Sequence, residues 1–183
     1  MSALAPITTV PSLADLYREE LDYVWQSIHR LGISSSDAED LAHDVFVTVG
    51  RRLGDFDTGR PVRPWLFGIL LRTVSEFRRR PRHAREVFAE APVANQADPR
   101  ARPDELAASN QERSRLLEAV ALLPPEQRAV FVMHDMNGHA MREVAQTLEI
   151  PQNTAFSRLR LARAAITAKL RSTLHTQEAI RGA

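Results

Sequence analysis

The chain has 183 residues, 24 basic and 23 acidic, a net charge of +1 and no cysteine. This length accommodates one or two small domains, and without cysteine there is no disulfide, thiolate metal site or cysteine nucleophile. No apolar run approaches the roughly 20 residues of a membrane span, and residues 1–10 lack the basic-then-apolar pattern of a secretory leader, so a soluble, cytoplasmic protein without membrane insertion is expected.

The near-neutral total hides a segregation of charge. Residues 1–59 carry 4 basic and 10 acidic side chains, and residues 60–85 carry 8 and 1. Residues 86–150 carry 6 and 11, and residues 151–183 carry 6 and 1. Two separate basic blocks point to two separate nucleic-acid contacts. The acidic blocks would repel DNA and suit a basic protein partner.

Leu13, Leu16, Tyr17, Val24, Ile28 and Leu31 recur at helical spacing, with Gly32 placed as the stop. A second helix is expected from Ser36 to about Arg52, with Glu39 completing a capping box. Its inward stripe is Ala38, Leu41, Ala42, Val45 and Val49, flanked by Phe46. The opposite face shows Asp40, His43, Asp44, Val47 and Arg51, with Val47 about 180° from the buried centre. An apolar centre ringed by acids is the anatomy of a partner-protein site.

A loop rich in glycine and proline spans residues 54–63. A third helix is expected from about Pro64 to Arg80, with Leu66, Ile69, Leu70, Thr73 and Phe77 inward. Residues 81–105 hold Pro81, Pro92, Pro99 and Pro103 and read as a tether without a core. Helices resume near Asp104.

The last third has the layout of a helix-turn-helix. Leu123 to Phe131 leads to a turn at Asn137-Gly138. The short amphipathic stretch Arg142 to Leu148 follows, and a basic helix runs from Ala155 to Leu170. On that helix Ala155, Leu159, Ala162, Ile166 and Leu170 share one face. Asn153, Ser157, Arg160 and Ala164 point away, with Phe156 and Leu161 at the margins. Small polar residues with an arginine suit base edges and phosphates. Asn153 or Thr154 is placed to cap the helix, whose bare N–H groups can also bind a phosphate.

No strand pattern appears. The expected fold is all-α: two small helical domains joined by a flexible linker, the second a helix-turn-helix. The boundaries are 1–82 for the N-terminal domain, 83–110 for the linker, 111–175 for the C-terminal domain and 176–183 for a tail.

Four segments in this order resemble one family. Asp37-Ala38-Glu39-Asp40-Leu41-Ala42-His43-Asp44-Val45-Phe46 resembles the core-polymerase-binding helix of bacterial sigma factors. Arg63-Pro64-Trp65-Leu66-Phe67 through Arg78-Arg79-Arg80 resembles their −10-reading helix. Leu123 to Arg128 and Glu143 to Arg163 resemble their −35-reading domain. Order, spacing and the intervening linker are similar to the two-domain, extracytoplasmic-function (ECF) class.

The resemblance implies a promoter-specificity factor for RNA polymerase, not an enzyme, with no cofactor, metal or small-molecule ligand. Asp37, Asp40, Leu41, His43, Asp44, Val47 and Arg51 would bind core polymerase. Phe56, Arg72, Glu76, Arg79 and Arg80 would meet the −10 element, with Arg78 and Arg82 also on phosphates. There a base is flipped from the melted non-template strand, and a pocket must offset the cost of unpairing it. Gln152, Asn153, Thr154, Phe156, Ser157, Arg160 and Arg163 would read −35 in double-stranded promoter DNA. The class also implies an anti-sigma factor.

Several residues depart from the family pattern. Arg72 stands where asparagine is usual, Glu76 where aspartate is, and His43 where glutamine is. Glu149 occupies a turn position usually held by glycine, which costs roughly 1 kcal/mol if that position is left-handed. Ala140 replaces a capping serine, leaving Asn137 or His139 as the expected cap. Glu143 is expected to pair with Arg158. Two other readings compete: a dimeric DNA-binding regulator that works without polymerase, and an adaptor that binds a regulator protein and hardly touches DNA.

Overall fold

The structure, a computed structural model, describes residues 11–80 and 103–181, with side chains over 11–80 and 110–173. It is helical throughout. α1 spans Leu13–Arg30, α2 Ser35–Arg52 and α3 Val62–Arg79. α4 spans Pro103–Ala121, α5 Pro125–Phe131, α6 Met141–Thr147 and α7 Gln152–Arg181. A 3₁₀ turn at Leu53–Asp55 ends α2, and a π turn at Val132–Met136 extends α5.

α1, α2 and α3 form the first bundle. The stripe expected on α2 is buried in full: Ala38, Leu41, Ala42, Val45, Phe46 and Val49. α1 differs from expectation at its first turns, where Leu13 and Tyr17 are 40% and 47% exposed. Here α1 lies over the small residue Gly50, which Leu13 approaches, and Tyr17 meets only the edge of Phe46, 4.8 Å between centroids. The inward face of α1 instead includes Glu20, Tyr23 and Ser27. On α3, Val74 is buried and Thr73 is half-buried, its hydroxyl donating to the Ile69 carbonyl.

The stops and caps follow local chemistry. Gly32 has φ +84, the left-handed conformation that ends α1. α2 begins one residue earlier than expected, at Ser35 with Ser34 as N-cap, and Glu39 closes no capping box. The Ser34 hydroxyl donates instead to the Asp37 carboxylate at 2.6 Å. α3 begins at Val62, since Pro64 is tolerated in a first turn whose N–H groups have no helical partner.

α4 to α7 form the second bundle, with Ala155, Leu159, Ala162 and Ile166 of α7 buried as expected and Leu170 half-buried. α4 starts at Pro103, inside the segment assigned to the linker, and α7 runs past residue 175 to Arg181. The rest of the tether expectation lies outside the described residues. Pro125 opens α5 at a position that suits proline.

The bundles pack on one another. α3 runs beside α6, where a Cβ on Gly68 would stand 3.3 Å from the Thr147 methyl group. Arg128 on α5 reaches into the first bundle and donates to the Leu31 carbonyl at 2.8 Å, while also donating to Leu123 at 2.9 Å and to Ala121. Arg78 of α3 donates to the same Leu31 carbonyl. Burial, with the neighbouring Arg78 charge, lowers the Arg128 pKa to about 10.

Candidate nucleic-acid and partner interfaces

On α2, with its apolar stripe inward, Asp40, His43, Val47 and Arg51 are left on the outer face, exposed. Val47 is 36% exposed among them. Asp44 is half-buried, 3.8 Å from Arg80 of α3. Asp37 is held by the Ser34 hydroxyl. Leu41 is corrected: at 1% exposure it belongs to the inward stripe and cannot meet a partner.

The loop before α3 and the outer side of α3 form the second surface. Phe56 is 6% exposed and packs on Trp65 with ring centroids 4.9 Å apart. It is thus a wall of the loop and not a free stacking platform. A cleft of about 500 Å³ opens beside it, edged by Phe56, Arg60, Trp65 and Arg72 on one side and by Arg142 and Gln146 of α6 on the other. Arg72 bonds Glu149 at 2.6 Å. Glu76, Arg79 and Arg80 are exposed. Arg78 is turned inward to Leu31, so it is not free for a phosphate in this conformation. Arg82 lies outside the described residues.

The third surface is α7. Gln152, Asn153, Ser157 and Arg160 are exposed, and Thr154 is half-buried. Phe156 is 51% exposed and Leu161 45%, so neither fills a groove against α6. α7 starts at Gln152, which puts Asn153 and Thr154 inside its first turn and not at the cap. Arg163 is held by Asp135 through two hydrogen bonds of 2.8 and 2.7 Å, and this bonding raises its pKa.

The turn into α7 carries a conformational cost. Glu149 has φ +54, the left-handed position, held by a residue other than glycine. Arg158 pairs with Glu126 at 2.6 Å and not with Glu143. Glu143 turns back on its own helix, accepting from the Ala140 N–H at 3.0 Å, and lies 3.9 Å from His139. Neither Asn137 nor His139 caps α6.

Both are drawn into a polar seam with α1 that the sequence reading did not assign. The Tyr23 hydroxyl and His139 Nε2 are 2.8 Å apart. Asn137 Nδ2 donates to Tyr23 at 3.2 Å and to Ser27 at 3.0 Å, and Arg30 donates to Asn137 Oδ1 at 2.5 Å. Arg63 lies 5.2 Å over the Tyr23 ring and donates to Glu20 at 2.7 Å. Burial raises the Tyr23 pKa and lowers that of His139, against an opposing pull from Glu143. One signal was present in the sequence: Glu20, Tyr23, Ser27 and Arg30 recur at three- and four-residue spacing, a polar stripe on α1.

Residues 16–84 match Sigma-70 region 2, and residues 113–166 match Sigma-70, region 4. The chain is 31% identical over 162 residues to the ECF RNA polymerase sigma factor SigM of Mycobacterium tuberculosis, covering 85% of this chain and 77% of that one. The chain belongs to the ECF sigma factors. It is also 28% identical over 151 residues to the RNA polymerase sigma factor CnrH of Cupriavidus metallidurans, with 79% of each chain covered. A solved structure of CnrH in complex with the cytosolic domain of CnrY aligns with 87% of this chain and 88% of that one, at TM-score 0.63 and 27% identity. α1 to α3 are thus the region 2 unit of a sigma factor, and its region 4 unit runs from α4 into α7. Among the described residues no helix is long and apolar enough to cross a membrane.

Proposed function

We propose that this sigma factor docks on core RNA polymerase through the outer face of α2, at Asp40, His43, Asp44, Val47 and Arg51. It then directs initiation at promoters whose −10 element meets the α3 surface and whose −35 element meets α7. The observation that carries this reading is the sidedness of α7. Its inward face is buried, while Gln152, Asn153, Phe156, Ser157 and Arg160 stand clear of the rest of the fold. The N-terminal turns of such a helix are the part that reaches base edges in the major groove.

The protein contributes position, not bond chemistry. Polymerase performs the synthesis, and this chain selects where it starts. A dedicated anti-sigma protein is the expected regulator, in keeping with the relative CnrH having been solved with the cytosolic domain of CnrY.

The test is run-off transcription with purified core polymerase on promoters selected from a random pool by the reconstituted holoenzyme. Transcripts that depend on this chain, start at one position and share two upstream elements support the proposal. Selection of DNA by this chain alone, with no gain from core, favours the dimeric-regulator reading.

A further inference from the structure

In this conformation the Arg72 part of the α3 surface faces the other half of the molecule across a cleft. The cleft beside Phe56 and Arg72 has α6 as its opposite wall. Glu149 sits just past the end of α6, at φ +54. Its carboxylate reaches Arg72 at 2.6 Å, and the two side chains are 74% and 56% exposed. A guanidinium held by an exposed carboxylate is in the geometry it would adopt with a backbone phosphate. Glutamate at a left-handed position is strained relative to glycine, and nothing inside region 4 uses its carboxylate: its hydrogen bond goes to the other domain.

We propose that Glu149 is an intramolecular decoy for a DNA phosphate: it occupies Arg72 and adds a small bias to the closed packing of region 4 against region 2 until DNA or polymerase displaces it. This rests on the assignment of Arg72 to DNA made above. The buried seam of Tyr23, Ser27, Asn137 and His139 aligns the two domains, and the Arg72–Glu149 pair is the exposed, exchangeable end of the same interface. An exposed pair contributes little to stability, which suits a contact that must open. The α7 face stays accessible in the closed state, so the decoy acts on one DNA contact and not on both.

The absence of cysteine allows a direct test in the full chain. Spin labels are placed on cysteines introduced at the exposed positions Glu39 and Thr167, and the interdomain distance is measured by pulsed electron paramagnetic resonance. Binding of a fluorescein-labelled random single-stranded 12-mer is measured on the unlabelled proteins. Glu149→Gln removes the charge and keeps the backbone strain. It should broaden the distance distribution toward longer values and tighten 12-mer binding by about two- to five-fold, beyond the gain seen for Glu118→Gln, which makes the same charge change on the exposed side of α4. The charge swap Arg72→Glu with Glu149→Arg should restore the short distance, which shows that a longer distance in Glu149→Gln is not misfolding. An unchanged distance distribution in Glu149→Gln overturns the proposal. A longer distance with no binding gain over Glu118→Gln overturns the decoy role and places the failure in the assignment of Arg72 to DNA.

Discussion

The two basic surfaces of this sigma factor differ in what stands in front of them. On α7 the exposed residues face away from the rest of the fold, and Phe156 is half uncovered. On α3 the corresponding surface faces α6 across a cleft, with Arg72 already paired. Both surfaces follow from the same residue chemistry, arginines opposite a buried apolar stripe. Their availability is decided by tertiary packing alone. A DNA-binding face is thus a statement about a conformation as well as a sequence.

The largest expected effect comes from removing the residue that ties the two bundles together. Arg128→Met leaves the Leu31, Ala121 and Leu123 carbonyls without this donor. Stability should fall by about 3 kcal/mol, since the Ala121 and Leu123 carbonyls each lose a buried donor at roughly 1–3 kcal/mol, while Leu31 keeps Arg78. Urea denaturation checks this. A loss under 1 kcal/mol would mean that the bundles are held elsewhere.

Tyr23→Phe is a subtler change to the same interface. It removes one hydroxyl and leaves His139 Nε2 and Asn137 Nδ2 without their shared partner. A loss of about 1–3 kcal/mol is expected, with protection of the Asn137–His139 turn reduced in hydrogen exchange. Unchanged exchange there would separate the seam from domain closure.

Phe156→Ala addresses the open surface. The ring is 51% exposed, so stability should change by less than about 0.5 kcal/mol. If the ring packs on a thymine methyl group, discrimination at one −35 position should fall by roughly 1–3 kcal/mol. Competition binding of holoenzyme to single-base promoter variants reads this out. A lower melting temperature with unchanged specificity would return Phe156 to the core.

The smallest effect is a pH dependence confined to the covered side. Burial lowers the His139 pKa, so the closed fold favours the neutral ring. Its contribution to stability is fully present above the ordinary value near 6.5 and is lost as pH falls below it. The ring faces Tyr23 and Glu143, with the Arg63 charge nearby. His29, also buried with a lowered pKa, acts in the same direction, so the difference between the parent and His139→Asn is the informative quantity. Denaturation midpoints between pH 7.5 and 5.5 should converge as the pH falls; parallel profiles would remove His139 from the account.

Periodicity made the inward stripe of α2 legible in full, because it packs on neighbours along its whole length, although the cap of the helix differs from expectation. It overstated the burial of the first turns of α1, where Leu13 and Tyr17 have helical spacing but little to pack against. Spacing says which residues share a face; it does not say where the neighbouring helix stops. The left-handed turn at residue 149 was legible from its place in the motif. The partner of Glu149 was not, since Arg72 lies 77 positions away in sequence. Arg158 was assigned to Glu143 by nearness within the motif, yet it pairs with Glu126 of α5. Most of the candidate site residues on outer helix faces are exposed. Leu41 is consumed by packing, and Phe56 is a wall of the cleft and not a free stacking ring.

The central claim is that one chain brings two surfaces to two promoter elements. Site-specific photocrosslinking tests it most directly, with a benzophenone side chain placed at Arg60, beside the cleft, or at Phe156, on α7. In holoenzyme bound to a selected promoter, the label at 60 should attach to the non-template strand of −10 and the label at 156 to the −35 duplex. In the free protein the label at 156 should attach to DNA more readily than the label at 60. Attachment of both labels to one element, or equal attachment from both in the free protein, would contradict the account.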